Sequence, residues 1–416
     1  MNTILAKHPC FDSSARHSHA RVHLPVAAGC NIQCNYCDRK GDCVNESRPG
    51  VTSALLSPRQ ALDYLEKVRK VEARLSVVGI AGPGDPFAHG ETTMETLELV
   101  SRHHPDLLLC LASNGMGILP YVDELARMKV SHVTLTINAL EPAIAARIYS
   151  WVRRGKSMLR GTDAAEALVQ RQAAALAALT AKGITVKVNT IVIPGVNEHH
   201  VVEVARAAAK AGASVHNLMP LYPVAGTPFA EVPTPDKSLL DSLRAQCGEL
   251  LPQMRHCTRC RADAVGLLGQ PMTEERIELL QLSARGPRQE RPYLAVASRE
   301  GVMVNQHLGD AASLWIFGIE GGIPRLVEKR LAPERGGGDA RWRALADTLK
   351  DCSVLVTSGA GAAPTRVLGE AGIAVSLADC LVEEAVTTLL NGKSLRAPVR
   401  QFRCGDGCSG RATGCG

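Results

Sequence analysis

The sequence predicts an α/β protein in two parts: a larger unit with a parallel sheet, open or closed into a barrel, and a smaller α/β unit behind it. Two observations predict this. Short runs rich in leucine or β-branched residues, bounded by Gly, Pro or Asn, alternate with segments of helical spacing, and nearly all-apolar strands between helices make a parallel sheet. The alternation stops after Gly269 and resumes near residue 291.

Six strands are expected, at RVHLPVA (21–27), LSVVGIAG (75–82), LLLCLASNG (107–115), HVTLTIN (132–138), TVKVNTIVIPG (185–195) and SVHNLMPLY (214–222). Helical spacing begins at Ser57, Thr92, Asp163 and Asn197, residue types whose side-chain oxygens cap first-turn amides. This gives a first domain over 1–269. Residues 270–290 are polar and bounded by prolines, and read as a linker carrying one amphipathic helix. The second unit, 291–397, should hold strands at YLAVASR, SLWIFGIEG, SVLVTSG and IAVSLAD, with helices around PTRVLGEAG and LVEEAVTTLLNG. The last stretch, 398–416, is too rich in glycine to pack and reads as a flexible tail. Its Cys404, Cys408 and Cys415 receive no assignment.

Composition narrows the function classes. A chain of 416 residues, 45% hydrophobic and 21% charged, can bury real cores. The net charge of +6 is small for this length, no Lys/Arg block runs five residues, and aromatics are 3%, so neither basic patches nor stacking platforms point to nucleic acid. No apolar run reaches the ~18 residues of a membrane span, and the first residues lack a secretory signal. A cytoplasmic location is expected. There, fourteen cysteines point to metal more than to disulfides.

In a parallel α/β sheet, chemistry collects at the carboxyl ends of the strands. After the first expected strand comes CNIQCNYC, with Cys30, Cys34 and Cys37; after the second, GPGDP (82–86); after the third, SNG (113–115). Three thiolates hold three corners of a [4Fe-4S] cube and leave the fourth iron open. Structural zinc is normally closed by four protein ligands.

The triplet, with Tyr36 before its third cysteine, resembles the signature of the radical S-adenosylmethionine (SAM) enzymes. The resemblance implies a partial (β/α)6 barrel whose open iron chelates SAM. It also implies an electron donor such as ferredoxin or flavodoxin, and a GPGDP backbone (Gly82, Gly84) contacting the SAM amino group, with Asp85 adding charge. Ser113, Asn114, Thr136, Asn138 and Asn189 are strand-end polar residues suited to the SAM ribose and carboxylate, or are simply caps and turn residues. Glu46 and Arg48, in NESRPG, are a proton relay, a SAM contact or a solvated turn.

Several further motifs in order (HPC at 8–10, VVGIAGPGDP, HNLMPL, and MRHCTRCRADAVGLLG at 254–269) are similar to the radical SAM maturases that build the nitrogenase cofactor precursor. Residues after about 291 are similar to the NifX-type, ribonuclease H-like carrier domain, where His307 is either a cofactor contact or an exposed residue. The resemblance implies two further [4Fe-4S] substrate clusters, fused around a SAM-derived carbide. One is held by Cys10, Cys257 and Cys260 and accepts the methyl group; the other takes His23, Cys43 and Cys110. His23 competes with His17 and His19 for the imidazole role. Implied partners are iron-sulfur cluster donors and the carrier or scaffold proteins of nitrogenase assembly. By period two, Cys110 shares a strand face with Ala112 and Asn114, as His23 does with Pro25 and Ala27. Without the resemblance, a strand cysteine such as Cys110 is usually a small buried hydrophobe, and Cys247, Cys352 and Cys380 are read that way. A radical SAM enzyme for another substrate and a non-catalytic iron-sulfur scaffold are the alternatives; the first leaves Cys10, Cys43 and Cys110 unexplained, and the second does not need GPGDP.

Overall fold

The strands of the first unit are β1 (Ala20–His23), β2 (Ile32–Cys34), β3 (Leu75–Ile80), β4 (Leu108–Ser113), β5 (His132–Thr136), β6 (Tyr149–Arg154), β7 (Ser157–Leu159), β8 (Thr185–Val192), β9 (Val215–Pro220) and β10 (Val265–Gly266). They come from a computed structural model that describes residues 8–39, 42–45, 52–155, 157–284, 291–320, 323–390 and 395. Glu46, Arg48 and the three tail cysteines lie outside the described residues. The six expected strands all form and run parallel in the order β1-β3-β4-β5-β8-β9. Each stops two or more residues before the apolar run ends, because the last residues of the run leave the ladder to build the loops described below. β10 covers the β1 edge antiparallel, pairing Arg21 with Gly266. Among the described residues β10 and β9 do not pair, so the sheet is a partial barrel.

Helices α1 (Pro58–Val71), α2 (Gly90–His103), α3 (Val122–Arg127), α4 (Pro142–Ile148), α5 (Gly161–Ala181), α6 (Val201–Lys210), α7 (Lys237–Gly248) and α8 (Glu274–Ala284) belong to the same unit. The start of α1 follows its sequence: Ser57 and Gln60 form a capping box and Pro58 opens the first turn. Ala61, Tyr64, Leu65 and Val68 then bury one face. α6 starts at Val201, not at Asn197. The Asn197 side chain instead donates to the Asn138 and Ile191 carbonyls (2.9 and 2.8 Å) and accepts from Ile193 N (2.8 Å), which closes a turn.

A second sheet was not anticipated. β2, which lies inside the cysteine triplet, pairs antiparallel with β6, and β6 with β7. The stretch expected as a linker also behaves differently. α8 buries Leu280 in the apolar core shared by α1, Lys67 donates to Ser283 Oγ (3.0 Å), and Arg276 reaches Glu72 (3.2 Å). The chain accordingly divides after Ala284.

The second unit has strands β11 (Tyr293–Val296), β12 (Ser313–Glu320), β13 (Ile323–Leu331), β14 (Cys352–Thr357) and β15 (Ala374–Leu377), with helices α9 (Asp339–Thr348), α10 (Ala362–Glu370) and α11 (Val382–Leu390). The order β13-β12-β11-β14-β15, antiparallel on one side of β11 and parallel on the other, is the ribonuclease H-like arrangement. β13 and α9 were not expected, since charged residues interrupt both apolar patterns. Cys247 and Cys352 are fully buried, and Cys380 packs beside the apolar cluster of the second unit, as small hydrophobes do.

Candidate functional site

The cysteine loop leaves β1 and is fixed by β2. Gln33 Nε2 donates to the Cys34 and Cys37 carbonyls (2.9 and 2.6 Å), and the Arg39 guanidinium to those of Ile32 and Cys30 (3.1 and 3.3 Å). Two buried amides aim N–H groups at the thiols. Asn114 Nδ2 lies 3.6 Å from Cys30 Sγ and Asn45 Nδ2 3.7 Å from Cys34 Sγ. Met116 N–H donates to Asn114 Oδ1 (2.9 Å), which settles the orientation of that amide.

Burial pushes the Cys30 thiol up to about 12 and that of Cys34 well above its ordinary value, and neighbouring thiols add to both shifts. Thiols this reluctant to ionise become thiolates only beside a cation. Among the described residues no three His, Cys, Asp or Glu side chains converge on one metal ion, whereas a cubane takes its thiolates on separate irons. Donor type, spacing and N–H···S contacts therefore fit a [4Fe-4S] cluster.

GPGDP packs directly under this loop. Gly84 N donates to Ala27 O (2.6 Å) and Asp85 N to Gly29 O (2.7 Å). A Cβ on Gly84 would sit 2.0 Å from Gly29 O, so only glycine permits the approach. Asp85 is buried and turned inward: it accepts from Ser113 Oγ (3.0 Å), Asn114 N (2.6 Å) and Phe87 N (2.8 Å). It joins the loops after β3 and β4, with Ser113 as its partner.

The remaining strand-end polar residues mostly hold the framework. Asn138 donates to the Tyr36 and Tyr149 hydroxyls (2.7 and 3.1 Å) and accepts from Ile191 N (2.9 Å). Tyr36, fully buried, also bonds Asn45. Gln172, which nothing in the sequence singled out, donates to the Asn114 and Thr136 carbonyls (2.9 and 2.8 Å), tying the ends of β4 and β5 together. Asn189 donates to Asn45 O (3.2 Å) and accepts from Asn217 Nδ2 (3.1 Å).

A cavity inside the partial barrel gathers the other thiols: Cys10, Cys110, Cys257 and Cys260 line it together with His23. The two chain segments meet there because His256 Nε2 donates to Pro9 O (3.0 Å). His23 Nδ1 faces the Arg261 carbonyl at 3.0 Å, which puts its proton there and leaves the Nε2 lone pair available. Burial lowers His23 to about 4, so the ring is neutral. Such a ring, with its other nitrogen hydrogen-bonded to a carbonyl, is typical of a metal ligand. His17 is exposed and His19 half-buried, and they bond to Arg16 and Ser18 respectively. Cys43 departs from expectation. It is not part of this lining; it sits among Cys30, Cys37 and Cys34, which together with burial push its thiol well up.

The fold and the cysteine loop define a radical SAM protein. The Radical SAM superfamily profile matches residues 24–208, and the Dinitrogenase iron-molybdenum cofactor profile matches residues 291–392. The chain is 49% identical over 423 residues to the FeMo cofactor biosynthesis protein NifB of Chlorobaculum tepidum, covering 100% of each chain. It is 40% identical to that of Klebsiella pneumoniae (88% of this chain, 86% of the other) and 39% identical to that of Frankia alni (92% and 87%). This chain belongs to the NifB family. Membership of the radical SAM superfamily implies a [4Fe-4S] cluster and SAM. Among the described residues no helix is long and apolar enough to cross a membrane.

Proposed function

We propose that this chain is a nitrogenase cofactor maturase: it fuses two [4Fe-4S] substrate clusters and inserts a SAM-derived carbide, making the eight-iron precursor. The observation that carries this reading is the cavity shared by Cys10, Cys257, Cys260, Cys110 and His23, a ligand supply that a single radical cluster does not need. Cys30, Cys34 and Cys37 would hold the resident cluster, which supplies the electron that cleaves SAM. Asn114 and Asn45 direct N–H groups at its thiolates, and Gly84 lets the GPGDP backbone close under it.

Cys10, Cys257 and Cys260 hold the methyl-accepting substrate cluster, and His23 and Cys110, with Cys43 from the triplet side, hold the other. Cys10 is catalytic in this scheme because its cluster carries the accepting sulfide. Three ligands per substrate cluster leave an iron open, as suits cargo that must depart. Cluster donors, an electron donor such as ferredoxin or flavodoxin, and cytoplasmic carrier or scaffold proteins complete the proposal.

Anaerobic iron counting with and without SAM tests it. About twelve irons per chain with SAM cleavage is the expected result. About four to eight with cleavage would instead mean a radical SAM enzyme for another substrate, and iron without cleavage a scaffold.

A further inference from the structure

The cavity that gathers the thiols is lined by Arg21, Lys187 and Arg259 and, among the described residues, by no Asp or Glu. Arg21 and Lys187 are 2% and 5% exposed, so water does little to screen them. Lys187 Nζ rests 3.9 Å from Met254 Sδ and 5.4 Å from the Phe11 ring centre, both on the cavity wall. Arg21 Nη2 lies 2.9 Å from Cys260 Sγ.

Several donors on this wall are also unused. Arg21 Nε and Arg259 Nη1 are buried with no hydrogen-bond partner. Cys10 N–H donates to His8 Nδ1 (3.2 Å), so the His8 proton sits on Nε2, which is buried without an acceptor. One lining acceptor, Asn217 Oδ1, is in the same position. Buried donors left unmade are costly, and three on one wall, two of them on guanidinium groups, call for an anionic, acceptor-rich guest.

We propose that Lys187, Arg21, Arg259 and His8 form a donor cage that grips the sulfides of an anionic iron-sulfur cluster, holding it independently of its thiolate bonds. The inference rests on the maturase reading and adds to it how cargo stays in place while its thiolate ligands exchange. Hydrogen bonds and positive charge around a cluster favour its more reduced state and raise its potential. Arg21 also donates to the Gly266 and Leu267 carbonyls, so its loss would disturb β10; Lys187 is the cleaner probe.

The test uses the full-length chain with Cys30, Cys34 and Cys37 replaced by Ala, reconstituted anaerobically with iron and sulfide, so that only substrate clusters remain. Lys187→Met should lower the midpoint potential in an EPR-monitored redox titration and speed loss of iron to a chelator, while Lys187→Arg stays at the parent values. If the Met variant does not fold, Lys187→Gln carries the same comparison. Parent-like potential and iron retention in the Met or Gln variant would overturn the cage, as would an Arg variant no better than Met. A parent chain that binds no iron at all would instead sink the maturase reading, and the cage with it.

Discussion

A Cβ placed on Gly79 would lie 2.9 Å from His23 Cδ2 and 3.4 Å from His23 Nε2. The glycine on β3 thus makes room for the imidazole on β1, while Arg261 O holds the opposite ring nitrogen. Gly79→Ala should push the ring off this position at a cost of about 1–3 kcal/mol, as overpacking does. Pulsed EPR of the reconstituted protein should then lose the nitrogen coupling of the histidine-bound cluster. A coupling that persists in His23→Ala as well would belong to another nitrogen and show that His23 is not a ligand.

Asn114→Ala removes the N–H aimed at Cys30 Sγ. Fewer hydrogen bonds to a thiolate sulfur leave the cluster more electron-rich and lower its potential. Redox titration should show a lower midpoint for the radical cluster, and 5′-deoxyadenosine should form more slowly. An unchanged midpoint would mean that the contact has no electronic role.

Cys10→Ala and Cys110→Ala should fail at different steps although both thiols line one cavity. The first should abolish S-adenosylhomocysteine formation, because the methyl-accepting cluster is lost. The second should still form it yet yield no eight-iron product when apo-nitrogenase is reconstituted. The opposite pattern would exchange the two ligand sets.

Glu72 ties α1 to α8. It is held below its ordinary value first by the Arg74 side chain, and Arg276 of α8 is a further partner. A depressed carboxylate adds stability above its unfolded value, and that stability is lost as pH falls through the folded one. Glu72→Gln should therefore speed hydrogen exchange in α8 at neutral pH and erase the difference from wild type in acid. Because Arg74 is about half exposed, the effect should be modest, about 1 kcal/mol. Equal exchange at neutral pH would show that Leu280 alone docks the helix.

Where the chain is cut should matter more than how much is removed. A chain ending at Ala284 keeps α8 and every proposed ligand, and should fold and make the precursor. One ending at Gly269 exposes the face that Leu280 covers and should melt at lower temperature, by about 2–4 °C for each kcal/mol lost. Calorimetry of the two truncations separates them; equal melting would make α8 a mere tether.

What the sequence determined by itself is local or periodic. Six apolar runs became six parallel strands because burial on both faces leaves no other use for them, and the spacing of Cys30, Cys34 and Cys37, with Tyr36, carried the superfamily resemblance that the Radical SAM match bears out. Gly84 was expected to admit a close backbone approach to SAM, and the close approach the structure shows is to Gly29 O. The tertiary structure decided what depends on partners far apart in the chain. β2 could not be seen because its stability lies in pairing with β6, more than a hundred residues on. The docking of α8 was hidden for the same reason, since a polar helix with one buried leucine looks like a linker until α1 is beside it. Asp85 and Asn138 looked like ligand contacts, but their hydrogen bonds go largely to the framework, and which atom a buried polar group faces is set by packing. Cys43, grouped with His23 and Cys110 on the family resemblance, lies outside the cavity lining and beside the triplet thiols. Lys187 and Gln172 carried no motif at all: a single charge or amide in an apolar strand or helix acquires meaning only when the barrel curls around it.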